Sequence, residues 1–109
     1  MAYSAELDAR VMRIIAKWQN TDSKKMFGGV CYLLNGNMVC GVNKDSVILR
    51  LGEEGAIEAL GRKNVRTFDM TGRAMKGWVM VDRPGIATDE ALEQWVGSAK
   101  QFVDTLPPK

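Results

Sequence analysis

An Asn-Gly pair at residues 35–36 constrains the fold of this chain more strongly than any other feature of the sequence. It stands between two largely apolar runs, VCYLL before it and NMVCGV after it. Asn-Gly is the preferred pair for a two-residue type I′ turn, because both turn residues must adopt a positive φ. The sequence therefore predicts an antiparallel hairpin with its tip at Asn35 and Gly36.

Three helices are expected from apolar residues that repeat at helical spacing. Ser4 is a suitable N-cap for the first helix and Thr88 for the last. The middle helix is short and is predicted at residues 53–60, where Ile57 and Leu60 are expected to face the core.

The remaining segments are expected to be extended. Residues 20–23 are polar and are expected to form a loop, and the alternating apolar residues of 25–51 predict a three-stranded antiparallel meander. Two more strands are expected near Val65–Met70 and residues 77–82. The order α-β-β-β-α-β-β-α predicts an α+β fold in two layers, with the helices beside an antiparallel sheet.

Length and composition are those of one ordinary globular domain. The chain has 109 residues, of which 46% are apolar and 26% charged, and its net charge of +2 is too small to identify a nucleic-acid binder. The apolar runs fall far short of the roughly 20 residues that span a bilayer, and the N-terminus lacks the order of a secretory signal. We therefore expect a single cytoplasmic domain over residues 1–109.

The residue inventory does not favour catalysis. The chain contains no histidine, the commonest general base and the usual partner of a Ser or Cys nucleophile. The acidic pairs at 53–54 and 89–90 open predicted helices, where the helix dipole accounts for them. No cofactor-binding motif is present. We therefore expect a protein that is not an enzyme and that needs no cofactor.

Cys31 and Cys40 are a candidate redox pair. A two-residue turn at 35–36 would place them directly opposite each other, at a pair position where side chains approach closely. A strained, reducible disulfide is one interpretation. The other is two buried free thiols that act as small hydrophobes, since disulfides are uncommon in the cytosol. Two sulfur ligands without a histidine do not complete a zinc site.

Gly28 and Gly29 could in principle cradle a phosphate. A phosphate loop, however, needs a helix N-terminus directly after the glycines, whereas a strand is expected here. Close backbone packing or a bulge at the start of the strand is therefore the expected role.

Residues 62–83 carry six basic side chains against two acidic ones, and Phe68 and Trp78 lie among them. Interleaved cations and aromatic rings are typical of nucleic-acid-binding surfaces. A solvated, positively charged sheet edge that resists aggregation is the other interpretation. The basic residues are Arg62, Lys63, Arg66, Arg73, Lys76 and Arg83.

Several motifs in order resemble the N-terminal domain of the TfoX/Sxy family, especially its short, single-domain members. They are MFGGVCYLLNGNMVCGV at 26–42, TGRAMKGWVMVD at 71–82 and LEQWVGSAKQFVDTLPPK at 92–109. The resemblance implies a two-layer α+β fold similar to that of type III secretion chaperones. The matching positions are Met26, Phe27, Gly28, Gly29, Gly36, Gly72, Arg73, Met75, Lys76 and Gly77.

The resemblance implies a regulatory rather than a catalytic role. Longer family members regulate bacterial competence and carry a second, helix-hairpin-helix domain, which is not expected within residues 1–109. No catalytic residues are known for the family, so none are implied here. We expect a protein-interaction or regulatory module, with another protein or a second copy as partner. The alternatives are a nucleic-acid-binding accessory factor in competence or transcription and a thiol redox switch.

A protein partner would need an apolar patch on the sheet face away from the helices. The residues expected there are Tyr32, Val39, Ile48 and Trp78. The candidate contact residues as a whole are Met26, Phe27, Gly28, Gly29, Arg62, Lys63, Arg66, Arg73, Lys76 and Trp78.

Overall fold

The computed structural model describes residues 3–26, 28–70 and 73–108 of the chain. Within them, the helices are α1 (Ala5–Ile15), α2 (Gly52–Leu60) and α3 (Asp89–Val103). The strands are β1 (Thr21–Met26), β2 (Gly29–Leu34), β3 (Asn37–Asn43), β4 (Ser46–Arg50), β5 (Val65–Met70) and β6 (Arg73–Val81). None of the helices described is both long and apolar enough to cross a membrane.

The strands form one antiparallel sheet in the order β1-β2-β3-β4-β6-β5. Asn35 and Gly36 have φ angles of 54° and 83°, which confirms the hairpin tip between β2 and β3. The α+β class and the order of helices and strand groups are also confirmed. Strand β1 was not predicted, because it begins inside the segment that was expected to be a loop. It is an edge strand whose first five residues are polar, so it lacks the apolar alternation that would have marked it.

The predicted caps hold the ends of two helices. The Leu7 N–H donates to the Ser4 hydroxyl at 3.2 Å, and the Ala91 N–H donates to the Thr88 hydroxyl at 3.0 Å. Each bond satisfies a backbone donor that has no partner inside its helix. Local sequence therefore sets where α1 and α3 begin.

All three helices contribute to one core on a single face of the sheet. The opposite face carries a smaller cluster, which among the described residues is built from strands alone. Ile48, Phe68 and Met80 are buried there, and Met38, Met75 and Trp78 pack against them. We call this side the helix-free face. The residues of the larger core include Leu7, Val11, Val42, Leu49, Val79, Val81, Leu92 and Val96.

The predicted pairing of Cys31 with Cys40 is wrong, because a β-bulge interrupts the hairpin. Tyr32 pairs with Cys40 but Leu33 pairs with Met38, so Val39 is an extra residue on β3. After such a bulge, each following residue of the bulged strand lies on the sheet face opposite to the one that uninterrupted alternation would give it. Cys31 consequently lies opposite Gly41.

The predicted apolar patch is wrong in part, because β2 turns towards the helices the face opposite to the predicted one. Tyr32 and Val39 belong to the core beneath the helices and not to the helix-free face. Ile48 and Trp78 do lie on the helix-free face, as predicted. Ile48 is only 2% exposed, because its neighbours cover it.

The predicted orientation of α2 is wrong as well. Its core-facing residues are Ala56 and Ala59, each 4% exposed, whereas Ile57 is 73% exposed and Leu60 37%. The reason is the closeness of the helix to β6, where an added Cβ on Gly77 would lie only 3.3 Å from the backbone of Gly52. Alanines fit in this narrow space, and larger side chains turn outward.

Candidate functional site

Two of the three large hydrophobic residues exposed in the described part of the chain lie together on α2. They are Ile57 and Leu60, whose separation of three residues places them on the same side of the helix. The third, Met12, is 52% exposed and lies on α1. A single exposed hydrophobic residue needs no explanation, but a group of them beside a cavity indicates a contact surface.

An open groove of about 390 Å³ lies between this side of α2 and strands β5 and β6. We call it the α2 groove. Ile57 and Leu60 line it from the helix, and Met75 and Trp78 line it from β6. Its remaining lining residues are Glu53, Ala56, Thr67, Lys76 and Gly77.

A register irregularity between β5 and β6 forms one wall of the groove. Thr67 pairs with Val79, and Asp69 pairs with Ala74, so two steps along β5 correspond to five along β6. The additional β6 residues depart from regular pairing and bulge beside the helix. Residues 75–78 lie within this bulge and all line the groove.

Trp78 is fixed from more than one direction. The Arg50 guanidinium lies 5.4 Å from the centre of its ring, within the range of a cation–π contact. The Phe68 ring lies 6.0 Å away in a tilted arrangement. Trp78 and Met75 thus belong both to the helix-free cluster and to the α2 groove.

Those basic residues of 62–83 whose side chains the structure describes do not converge on one surface. Arg62 lies 4.4 Å from the centre of the Trp95 ring and so faces α3. Arg66 lies on the helix-free face, where it pairs with Asp82 at 3.0 Å. Lys76 lines the α2 groove, and Lys63 is exposed beyond the end of α2.

Asp82 is the centre of a small polar network. The Ser46 hydroxyl donates to its carboxylate at 2.7 Å, and Arg66 donates to the same carboxylate. Partial burial alone would raise the pKa of Asp82, but the hydrogen bonds from Ser46 and Arg66 outweigh it and lower that pKa. Arg66 is thereby engaged within the domain rather than free for a phosphate.

The position of Gly29 distinguishes the two interpretations of the glycine pair, which are a phosphate cradle and close backbone packing. Gly29 opens β2, and a Cβ added to it would overlap the carbonyl oxygen of Val42 on β3. This geometry matches close backbone packing. Phe27 and Gly72 lie outside the described residues, as do the side chains of Met26 and Arg73.

The two thiols lie on opposite faces of the sheet. Cys40 belongs to the core beneath the helices, and Cys31, next to core residue Tyr32, points to the helix-free face. Both are free and buried. Burial raises the pKa of each thiol, which keeps the reactive thiolate scarce at neutral pH.

We expect neither thiol to react readily in the folded chain. A thiol reagent at neutral pH should label Cys31 and Cys40 only slowly in the native protein and rapidly after denaturation. After mild oxidation, a thiol reagent should still count two free thiols, because the two side chains point to opposite faces of the sheet. An intramolecular disulfide detected by mass spectrometry in the folded, oxidised protein would contradict this arrangement.

A buried tyrosine joins β2 to α1. The Tyr32 hydroxyl donates to the Asp8 carboxylate, and the ring lies in the core. Burial is the main cause that raises the pKa of Tyr32, and the hydrogen bond to Asp8 adds to it.

This shift predicts a loss of stability at high pH. Above the ordinary value of 10.0, an unfolded chain releases the Tyr32 proton but the folded chain retains it, so the free energy of unfolding falls. The buried thiols act in the same direction above their ordinary value of 9.0. Tyr32→Phe should make the fall less steep in denaturation curves collected across this range. Equal slopes for the wild type and Tyr32→Phe would refute the assignment.

The described residues contain no group of three His, Cys, Asp or Glu side chains able to hold a metal ion.

The sequence predicted that Ile57 and Leu60 lie in the core, and it did not single out Thr67. The groove therefore emerges from tertiary packing.

Fold and site together define a two-layer α+β domain, with helices on one sheet face and an exposed apolar groove beside the middle helix. The family model of the TfoX N-terminal domain matches residues 13–103, from within α1 to the last residue of α3. The chain belongs to this family, as its motifs suggested. A search of curated proteins found no match.

Proposed function

We propose that this chain is a non-catalytic, cytoplasmic protein-interaction or regulatory module that binds a protein partner through the α2 groove. The observation that carries the proposal is the exposed Ile57 beside a groove lined by Met75 and Trp78. Covering such surface is favourable by roughly 25 cal/mol per Å² of apolar area removed from water. A partner that covers Ile57 would release this free energy.

The form of the groove suits a protein partner better than a small molecule. Small-molecule sites enclose most of the ligand surface, whereas this groove is open along one side and has an exposed helix as its wall. A helix or extended segment with apolar side chains fits such a surface.

Site-specific photo-crosslinking in the native cell tests the proposal. A photoreactive residue at position 57 should yield crosslinked protein products, which Leu60→Glu should reduce. The same residue at position 12 is the matched control, because Met12 is also an exposed hydrophobic but lies outside the groove. Absence of products at position 57, or identical products at both positions, would refute a docking role for the groove.

Nucleic-acid binding through residues 62–83 is the alternative proposal. It has less support, because Arg62 stacks on Trp95 and Arg66 pairs with Asp82. Fluorescence anisotropy with labelled DNA and RNA at low salt distinguishes the two. Binding that weakens steeply with salt and is reduced by Lys63→Ala and Lys76→Ala would favour the alternative.

A further inference from the structure

We propose that the occupant of the α2 groove is a second copy of this chain. The two copies dock about a two-fold axis, so that α2 of each lies against the groove of the other. This inference rests on the proposed function of the groove and names its partner.

The shape of the surface is self-complementary. A two-fold interface uses the same patch on both copies, so that patch must offer a projection and a recess together. Ile57 is the projection, and the space between α2 and the β6 bulge is the recess. Met12 is not among the residues that line this recess, although it is also exposed.

The charges of the groove are self-complementary as well. Glu53 lines it from the helix, and Lys76 lines it from the strand, so the groove carries one acidic and one basic side chain. Both residues are exposed, and neither forms an ion pair with another described side chain. Across a two-fold axis, Glu53 of each copy meets Lys76 of the other.

The size of the surface predicts a weak dimer. Helix α2 has nine residues and is therefore about 13 Å long. An interface centred on one such helix lies at the small end of specific interfaces, and we expect a dissociation constant roughly in the micromolar range.

Analytical ultracentrifugation of the full chain tests the proposal. The average mass should rise from 12.1 kDa towards twice that value as concentration passes through the micromolar range. Ile57→Glu and Leu60→Glu should each remain monomeric, and Met12→Glu should dimerise like the wild type. Circular dichroism and thermal unfolding of every variant verify that the fold is retained.

Charge reversal provides a test specific to the two-fold arrangement. Glu53→Lys and Lys76→Glu should each weaken self-association roughly tenfold or more, because both ion pairs become repulsive. An equimolar mixture of these two variants should recover dimerisation, since the mixed dimer contains two opposite-charge pairs. A mixture that stays as monomeric as its components would overturn the arrangement.

Failure of this inference can be told apart from failure of the proposed function. A wild-type chain that stays monomeric at high concentration, or an Ile57→Glu variant that still dimerises, overturns self-docking. Crosslinks from position 57 to a different protein would then leave the interaction role intact. If those crosslinks are also absent, both proposals fail.

Discussion

Replacing Gly29 with alanine should destabilise the domain by about 3 kcal/mol or more. A Cβ at this position would overlap the carbonyl oxygen of Val42 and lie 3.1 Å from its carbonyl carbon. These are backbone atoms of the neighbouring strand, so no side-chain rotation can relieve the overlap. Strands β2 and β3 would have to separate where Val30 pairs with Val42 in the core.

Chemical denaturation monitored by circular dichroism measures this loss. Gly97→Ala is the matched control, because a Cβ there meets no atom within 4 Å and the position lies inside α3. Alanine favours a helix interior over glycine by roughly 1 kcal/mol, so the control should be neutral or stabilising. An unchanged denaturation midpoint for Gly29→Ala would contradict the close approach of the two strands.

Replacing Gly52 with alanine should cost about 2–4 kcal/mol and should also impair the α2 groove. Gly52 has a φ of +81°, a conformation that costs an L-residue roughly 1–2 kcal/mol. An added Cβ would also lie 2.5 Å from the Phe102 ring. Because α2 begins at Gly52, relief of this contact would move the helix relative to β6.

A double-mutant cycle separates the two contributions. Phe102→Leu reduces the ring that Gly52→Ala would strike but leaves the positive φ unchanged. The double variant should therefore lose less stability than the sum of the single variants, with a remaining deficit from the backbone. Strict additivity would show that the contact with Phe102 has no part in the effect. Ultracentrifugation of Gly52→Ala should also show weaker self-association, if the groove is the dimer surface.

Positioning of the groove depends on three features that come from different parts of the chain. The Leu51 N–H donates to the Gly77 carbonyl at 2.8 Å and fixes the start of α2 beside β6. The irregular pairing with β5 provides the opposite wall. Ala56 and Ala59 then allow the helix to lie close to the sheet, which leaves Ile57 and Leu60 exposed.

The register of the two cysteines shows how a correct local prediction can lead to a wrong contact. The turn at Asn35 and Gly36 forms as predicted, and the pairs next to it follow from it. The extra residue, Val39, then shifts every later pair by one position. Valine and cysteine are both apolar, so the alternation of residue types did not reveal which of them occupies the bulge.

The sequence likewise did not predict correctly which side of α2 is exposed. In EEGAIEAL, the alanines and the larger apolar residues lie on different sides of the helix, and hydrophobicity alone favours burial of Ile57 and Leu60. The structure buries the smaller residues instead. The narrow space between α2 and β6, and not hydrophobicity, decided the orientation of the helix.

The sequence by itself determined the local structure of this protein: the hairpin tip at Asn35 and Gly36, the caps at Ser4 and Thr88, and the order of its helices and strand groups. These features depend on residues only a few positions apart, whose conformational preferences and hydrogen bonds operate within one turn. Only the tertiary structure decided the bulge at Val39 and the exposure of Ile57. Both depend on how closely distant segments approach each other, as at Gly52 and Gly77, and this distance is a property of the packed domain.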